Sequence, residues 1–243
     1  MLCFQTRVDR YVDYYAYRLK KAVEKEDSVR IQTYIAILGN IAHPRVLKTF
    51  EPYLEGEKTV TPYQRRLMLA VLNNMLEVNP KLVRATAYRV YQSASEDGAT
   101  RSLAAFTVMR TNPPASMIQR MAESTQFEQN EQVRSAVKTI VESTANLKAG
   151  EDWEKIANAR AAVKNLNGTR TSMHFSQGLR YSKDLEDMQT ALHGALYTVG
   201  KEDSLLPHSL FAKFQKTFNG IKMPSSSVST TSYYFVSLSA LKT

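Results

Sequence analysis

The stretch GNIAHPRVLKTFEPYLEG, residues 39–56, decides the fold of the first two thirds of the chain. His43 stands there directly before a proline, and two glutamates follow within the stretch. These residues could form a histidine base with carboxylate partners, or they could form a turn between two helices. A residue before proline is pushed out of the helical region, which suits a turn or a helix cap. A recurrence of this arrangement elsewhere in the chain would favour the turn.

The arrangement does recur, at regular spacing. Asn79-Pro80 and Asn112-Pro113 correspond to His43-Pro44, and the three prolines are 36 and 33 residues apart. A catalytic histidine is not expected to have counterparts at two other turns, so we interpret His43 as a capping or turn residue. A series of arginines has spacings of 36, 35 and 33 residues: Arg30, Arg66, Arg101 and Arg134.

Apolar residues at three- and four-residue steps predict helices on both sides of each turn. The first helix is expected to end before Glu26, and Asp27 or Ser28 to cap the second, which stops near Gly39-Asn40. Pro44 suits a first helical turn, and Pro52 is expected to end or bend that helix. Later helices are predicted after Thr61-Pro62, Asn79-Pro80, Asp97-Gly98 and Asn112-Pro113, near Glu131, and from Trp153 to Val163.

Helix pairs that repeat about every 35 residues are typical of a stacked α-solenoid, in which neighbouring pairs cover each other's apolar faces. We therefore predict a mainly α fold. Residues 1–168 are expected to form a right-handed α-α superhelix of paired helices, and residues 169–243 a short β or irregular C-terminal part.

The helical pattern fades after Gly168. Residues 188–199, MQTALHGALYTV, fit either a short helix or a strand, and periodicity alone leaves both open. Residues 200–207 read as a loop with Asp203-Ser204 as turn residues. The tail from Met223 is rich in serine and becomes apolar at residues 233–236, and it is too short to form a domain alone.

The composition is typical of a globular protein of one or two domains: 243 residues, 43% hydrophobic and 23% charged. The opening residues, MLCFQTRVDRYVDYY, lack the pattern of a signal peptide, so none is expected in this chain. Cys3 is the only cysteine, which excludes an internal disulfide. The net charge of +9 is spread along the chain without a basic stripe, so no nucleic-acid partner is predicted.

Motifs for catalysis and metal binding are absent from the sequence. Its four histidines lie far apart and have no metal-ligand spacing, and it has no glycine-rich phosphate loop and no nucleophile elbow. Glu202-Asp203 is expected to be solvated in a loop. We therefore predict no enzyme activity, no cofactor and no metal. The histidines concerned are His43, His174, His193 and His208.

Two further features leave alternatives open. Met109, Met117 and Met121 recur at helical spacing, which fits either a helix core or an adaptable surface that accepts lipid. Asn167-Gly168-Thr169 is a glycosylation acceptor, which matters only if the chain passes through a secretory route.

Several long blocks occur in the order typical of the large lipid-transfer protein family, and the chain most closely resembles the insect-type vitellogenins, the yolk-protein precursors. The resemblance extends from about Arg7 to the end. It is carried by residues 30–56, QRRLMLAVL (64–72), MRTNPPASMIQRMAE (109–123), QVRSAVKTIVES (132–143), NARAAVKNL (158–166), SQGLRYS (176–182) and VGKEDSLLP (199–207).

The resemblance implies a two-layered helical arch around β-sheets that line a lipid-filled cavity, with residues from about 170 to 222 as the first strands of one sheet. It implies a secreted, non-catalytic lipoprotein scaffold for lipid transport and yolk nutrient storage, with phospholipid and neutral lipid as partners. A lipoprotein receptor would be contacted through other domains of such a protein, including an N-terminal β-barrel. The chain is thus expected to be a fragment, in which the helical arch, cut away from the sheets it covers, leaves its concave apolar face bare and promotes self-association.

The repeat also fits a HEAT-like scaffold that binds a peptide or helix on its concave face and has no lipid role. Co-purified lipid would separate this alternative from a lipoprotein.

Overall fold

The computed structural model describes residues 2–148, 153–172, 174–201, 204–231 and 235–239. The chain is mainly helical and ends in an antiparallel sheet, which confirms the predicted fold class at this level. The helices are α1 (Leu2–Glu24), α2 (Ser28–Ile41), α3 (Pro44–Leu54), α4 (Pro62–Val71), α5 (Pro80–Gln92), α6 (Gly98–Arg110), α7 (Ala115–Ser124), α8 (Glu131–Ala145) and α9 (Trp153–Ala162). The strands are β1 (Gln177–Leu185), β2 (Thr190–Lys201), β3 (Ser204–Phe218), β4 (Ile221–Lys222), β5 (Ser226–Thr231) and β6 (Phe235–Ser239).

Two compact units divide the chain at residues 1–111 and 112–243. In the first unit, α2 packs on α4 and α4 on α6, while α1 packs on α3 and α3 on α5. In this unit, α1 to α4 therefore each pack on the helix two places further along the chain. In the second unit, α7, α8 and α9 pack on one another, and α8 packs on β1. The right-handed superhelix remains a prediction.

The predicted caps are present at most turns. The side chains of Asp27, Thr61, Asn79 and Asp97 each accept a hydrogen bond from a backbone N–H of the first turn that follows. His43 does the same, since its Nδ1 accepts from the N–H of Arg45 at 3.4 Å. The interpretation of His43 as a cap is confirmed.

The third turn departs from the repeat. Asn112 has a left-handed φ of 56° and does not cap a helix, because α7 begins only at Ala115, after Pro114. Two prolines in succession, Pro113 and Pro114, delay the start of α7, because a residue before proline is pushed out of the helical region. The predicted equivalence of Asn112 with His43 is therefore wrong at the level of hydrogen bonding.

Two helix ends also differ from the prediction. α2 continues through Gly39 to Ile41, and the left-handed residue that ends it is Ala42, with a φ of 52°. Gly39 serves packing instead, because a Cβ there would lie 2.3 Å from the Cβ of Val71. α3 continues past Pro52 to Leu54, so Pro52 does not end it. The lost N–H affects only the last turn of the helix.

The methionines at helical spacing belong to the core. Met109 and Met121 are buried, with 2% and 0% of their surface exposed, and Met117 is half-buried. Their burial favours the interpretation that these methionines form a helix core, and not a surface that accepts lipid.

The sheet has the strand order β1-β2-β3-β5-β6, with β4 paired to β3, and every neighbouring pair is antiparallel. Residues 190–199 are thus a strand, and the predicted loop at 200–207 is wrong at residues 200, 201 and 204–207. β2 extends to Lys201 and β3 begins at Ser204, while Glu202 and Asp203 lie outside the described residues. A register shift between Val199 and Lys201 accommodates Pro207, which cannot donate to a ladder.

The serine-rich tail also forms strands, β5 and β6, rather than an irregular end. Tyr233 and Tyr234 of its apolar run lie outside the described residues. Across the described ranges, the helices are too short or too polar to span a bilayer.

Candidate functional site

One face of the sheet is apolar and exposed. Successive residues of a strand point to opposite faces, so the register determines which side chains share a face. One row across the sheet contains Leu179, Leu196, Ala212 and Val228. The next row contains Tyr181, Gly194, Phe214 and Ser226. We call the surface formed by these two rows and the adjoining Leu192 the open face.

Solvent reaches the large side chains of the open face. Phe214 is 66% exposed, Tyr181 59% and Leu179 47%. A soluble monomer rarely leaves contiguous apolar side chains uncovered in this way, and such patches usually mark a binding surface.

The open face is concave. It lines a cavity of about 550 Å³ that is bordered mainly by apolar atoms. Gly194 forms part of the floor, because it has no side chain between Tyr181 and Phe214. A Cβ added to Gly194 would lie 3.6 Å from Phe214 Cε1 and 3.8 Å from Tyr181 Cβ. A single carbon above Gly194 would therefore make ordinary van der Waals contacts with both residues.

The opposite face of the sheet is joined to α8 by a buried polar cluster. Gln132 Oε1 accepts hydrogen bonds from the N–H and the hydroxyl of Ser176, both at 2.7 Å. The Ser176 hydroxyl oxygen in turn accepts from the N–H of Gly200 at 3.0 Å. Both polar side chains are buried, so breaking this cluster would leave unsatisfied groups away from water. Tyr197 and Val199 are buried on the same side of the sheet.

α8 also holds the first residues of β1. The N–H of Gly178 donates to Thr139 Oγ1, and the Ser143 hydroxyl donates to the Gly178 carbonyl, both at 2.9 Å. The sheet is thus fixed to the helix on one side, and the open face on the other side is left uncovered.

His43 lies apart from the two glutamates that follow it within residues 39–56. Glu51 and Glu55 do not face it, because both form ion pairs with Arg89, at 3.1 and 2.8 Å. The carboxylate near His43 is Asp9, whose Oδ1 lies 3.8 Å from Nδ1. His43 therefore contacts residues that hold it at the start of α3.

The other histidines are distributed over the sheet region. His174 precedes β1, His193 lies on β2 and His208 on β3. Among the described residues, no group of three histidine, cysteine, aspartate or glutamate side chains could hold a metal ion.

The glycosylation acceptor lies in the turn between α9 and β1. Asn167 is half-buried, and its Oδ1 accepts from the N–H of Thr169 at 2.8 Å. The buried ammonium of Lys138 donates to the carbonyls of Asn167 and Thr169 at 2.9 and 2.5 Å. The turn is therefore ordered, and Gly168 and Thr169 are exposed beside the acceptor.

The sequence analysis did not identify the open face. Its signal was the alternation of apolar residues at Leu179 and Tyr181, at Leu192 and Leu196, and at Ala212 and Phe214. Short polar interruptions and the aromatic residue Phe211, which lies on the other face, obscured this period of two.

The fold and the open face define a class of protein: a helical-repeat protein joined to an antiparallel sheet with one bare apolar side. The family described as the vitellogenin TPR domain matches residues 3–142. Vitellogenin-1 of Solenopsis invicta is 37% identical over 222 residues, which are 91% of this chain and 14% of that protein. Vitellogenin-A1 of Aedes aegypti is 36% identical over 229 residues, which are 94% of this chain and 10% of that protein.

The chain belongs to the vitellogenin family. A solved structure described as "Lipid-protein interactions in lipovitellin" has the same fold, with a TM-score of 0.80 over 90% of this chain and 24% of that chain, at 17% identity. The chain spans only a small part of the relatives that it matches.

Proposed function

We propose that this chain serves lipid transport and yolk nutrient storage as part of a vitellogenin-like lipoprotein, and that it acts by binding lipid and not by catalysis. The observation that carries the proposal is the open face, where apolar side chains from neighbouring strands line one concave exposed surface. The solved relative concerns lipid–protein contacts, which supports the same class of ligand.

Burial of apolar surface supplies the binding energy. About 25 cal/mol is gained per Å² of apolar surface removed from water, or about 0.8 kcal/mol per buried CH₂ group. An acyl chain lying between Tyr181 and Phe214 would remove its own surface and that of both rings from water. The cavity of about 550 Å³ is in the range of sites for small apolar ligands.

The helices have a structural role in this proposal. α8 holds the start of β1 and the end of β2 through Gln132, Thr139 and Ser143, and this attachment needs no bound lipid. The stacked pairs extend this support as a right-handed α-α superhelix around a lipid cavity. Their basic exterior meets anionic headgroups or an acidic partner.

The test is a lipid-binding measurement with two matched variants. The purified 243-residue chain is incubated with a fluorescent fatty acid, and bound lipid is also quantified by mass spectrometry of organic extracts. Phe214→Ser removes an exposed ring from the open face, whereas Phe127→Ser removes one that is 81% exposed in the turn after α7. We expect Phe214→Ser to weaken binding about tenfold, and Phe127→Ser to leave it unchanged.

A wild-type chain that binds no lipid, or equal losses in the two variants, would refute the proposal. Absence of lipid together with a tight protein partner would favour the HEAT-like scaffold. Light scattering of the lipid-free chain should detect self-association through the open face, and Phe214→Ser should reduce it.

We also propose that the chain is part of a secreted protein and is glycosylated at Asn167. The ordered, partly exposed turn that holds Asn167 supports this proposal. Expression through a secretory route should add a glycan mass that Asn167→Gln abolishes. An unmodified secreted chain would contradict it.

A further inference from the structure

Two lysines stand at one end of the open face. The register aligns Lys183 of β1, Leu192 of β2 and Lys216 of β3 in a single row across the sheet. This row adjoins the row of Tyr181, Gly194 and Phe214. Both lysines are exposed, like the apolar residues two positions away on the same strands, so their side chains share the open face. Leu192 and Lys216 also line the cavity.

Among the side chains that the structure describes, neither lysine has a carboxylate within ion-pair distance. Asp184 follows Lys183 directly and therefore points to the opposite face. The Lys216 ammonium lies 5.8 Å from the ring centroid of Phe218, which holds it at this end of the sheet.

We infer that Lys183 and Lys216 bind the headgroup phosphate of an anionic phospholipid whose acyl chains lie on the open face. Neighbouring strands are about 4.8 Å apart, so the two lysines are separated by about 10 Å across β2. Their flexible four-carbon stems allow both ammonium groups to approach one phosphate above Leu192. The acyl chains then lie on the apolar rows of the open face, which begin next to the row of the two lysines. The inference rests on the proposed lipid binding and adds a headgroup preference to it.

The preference follows from charge complementarity. A zwitterionic headgroup such as phosphocholine places a quaternary ammonium near two lysines, and the resulting repulsion offsets part of the attraction to its phosphate. Phosphoglycerol has the phosphate without the cation. Repulsion of the choline cation by two exposed lysines, at the ordinary strength of exposed charge pairs, gives a preference of about fivefold for the anionic lipid.

The experiment measures which lipid the chain selects. The full chain is incubated with an equimolar mixture of dioleoyl phosphatidylglycerol and dioleoyl phosphatidylcholine, and is then re-isolated. The extracted lipids are quantified by mass spectrometry. The test variant is Lys183→Gln/Lys216→Gln. The control, Lys48→Gln/Lys81→Gln, removes the same charge from exposed positions on α3 and α5.

The wild type and the control should hold about five phosphatidylglycerols per phosphatidylcholine. The test variant should hold nearly equal amounts at an unchanged total, and 0.5 M NaCl should weaken the wild-type preference. Equal binding of the two lipids by the wild type, or a preference kept by the test variant, overturns the inference while lipid binding itself stands. A wild-type chain that binds neither lipid instead refutes the proposed function.

Discussion

The helices and the sheet both arrange apolar residues on one face, but only the helices cover that face within the described chain. Phe50 and Phe106 on the helices are 0% and 1% exposed, whereas Phe214 on the sheet is 66% exposed. In the first unit, the helices pack against one another, so their apolar faces are covered. The sheet has α8 on one side, and solvent reaches the open face on the other. Periodicity therefore predicts which face is apolar, but the covering element determines whether that face is core or binding surface.

The largest expected effect on the free energy of unfolding distinguishes a phenylalanine of the helix core from one on the open face. Phe50→Ala should destabilise the chain by about 3–5 kcal/mol, because it leaves a cavity among fully packed helices. Phe214→Ala should change stability by less than about 1 kcal/mol, since the ring is mostly in water. Urea denaturation followed by circular dichroism measures both. Similar losses in the two variants would mean that the open face is part of the core.

A smaller effect on stability is expected to distinguish substitutions of two glycines of β2. A Cβ at Gly200 would lie 2.3 Å from the His174 carbonyl oxygen and 2.6 Å from Gln132 Oε1. Gly200→Ala should therefore destabilise the joint between α8 and the sheet by about 2–3 kcal/mol. Gly194→Ala on the open face meets only ordinary contacts and should be neutral within about 0.5 kcal/mol. Hydrogen exchange at the amides of Ser176 and Gly178 should accelerate in the first variant alone.

The smallest effects concern the caps of the helical region. Asp97 accepts from the N–H of Thr100 at 2.9 Å and from its hydroxyl at 2.6 Å, so Asp97→Ala should destabilise by about 1–2 kcal/mol. Asp97→Ser should recover most of this loss. His43→Ala removes a longer bond of 3.4 Å and should lose only about 0.5 kcal/mol. A much larger effect at His43 on thermal unfolding would argue for a role beyond capping.

Local chemistry explains why the sequence predicted the helices well. Asp27, His43 and Asn79 act through neighbours within three residues, and proline fixes the first turn of α3, α4 and α5. The signals for these helix starts are therefore contained in a few consecutive residues.

Long-range contacts explain where the sequence prediction was wrong. Gly39 resembled a helix end, yet its role depends on Val71, which lies 32 residues further along the chain. Residues 200–207 resembled a loop because they begin with a glycine and end with a proline, and only the register shift between Val199 and Lys201 makes Pro207 acceptable in a strand. The open face required the register of several strands, which no single segment specifies.

The attachment of β1 to α8 has a consequence for aggregation. Within the described ranges β1 pairs only with β2, so its outer backbone groups form an exposed edge that could recruit a strand from another molecule. At Gly178, however, the N–H and the carbonyl that point away from β2 are already bonded to the hydroxyls of Thr139 and Ser143. A foreign strand would have to displace both hydroxyls to pair there. The helix thus protects the beginning of this edge against intermolecular β-pairing.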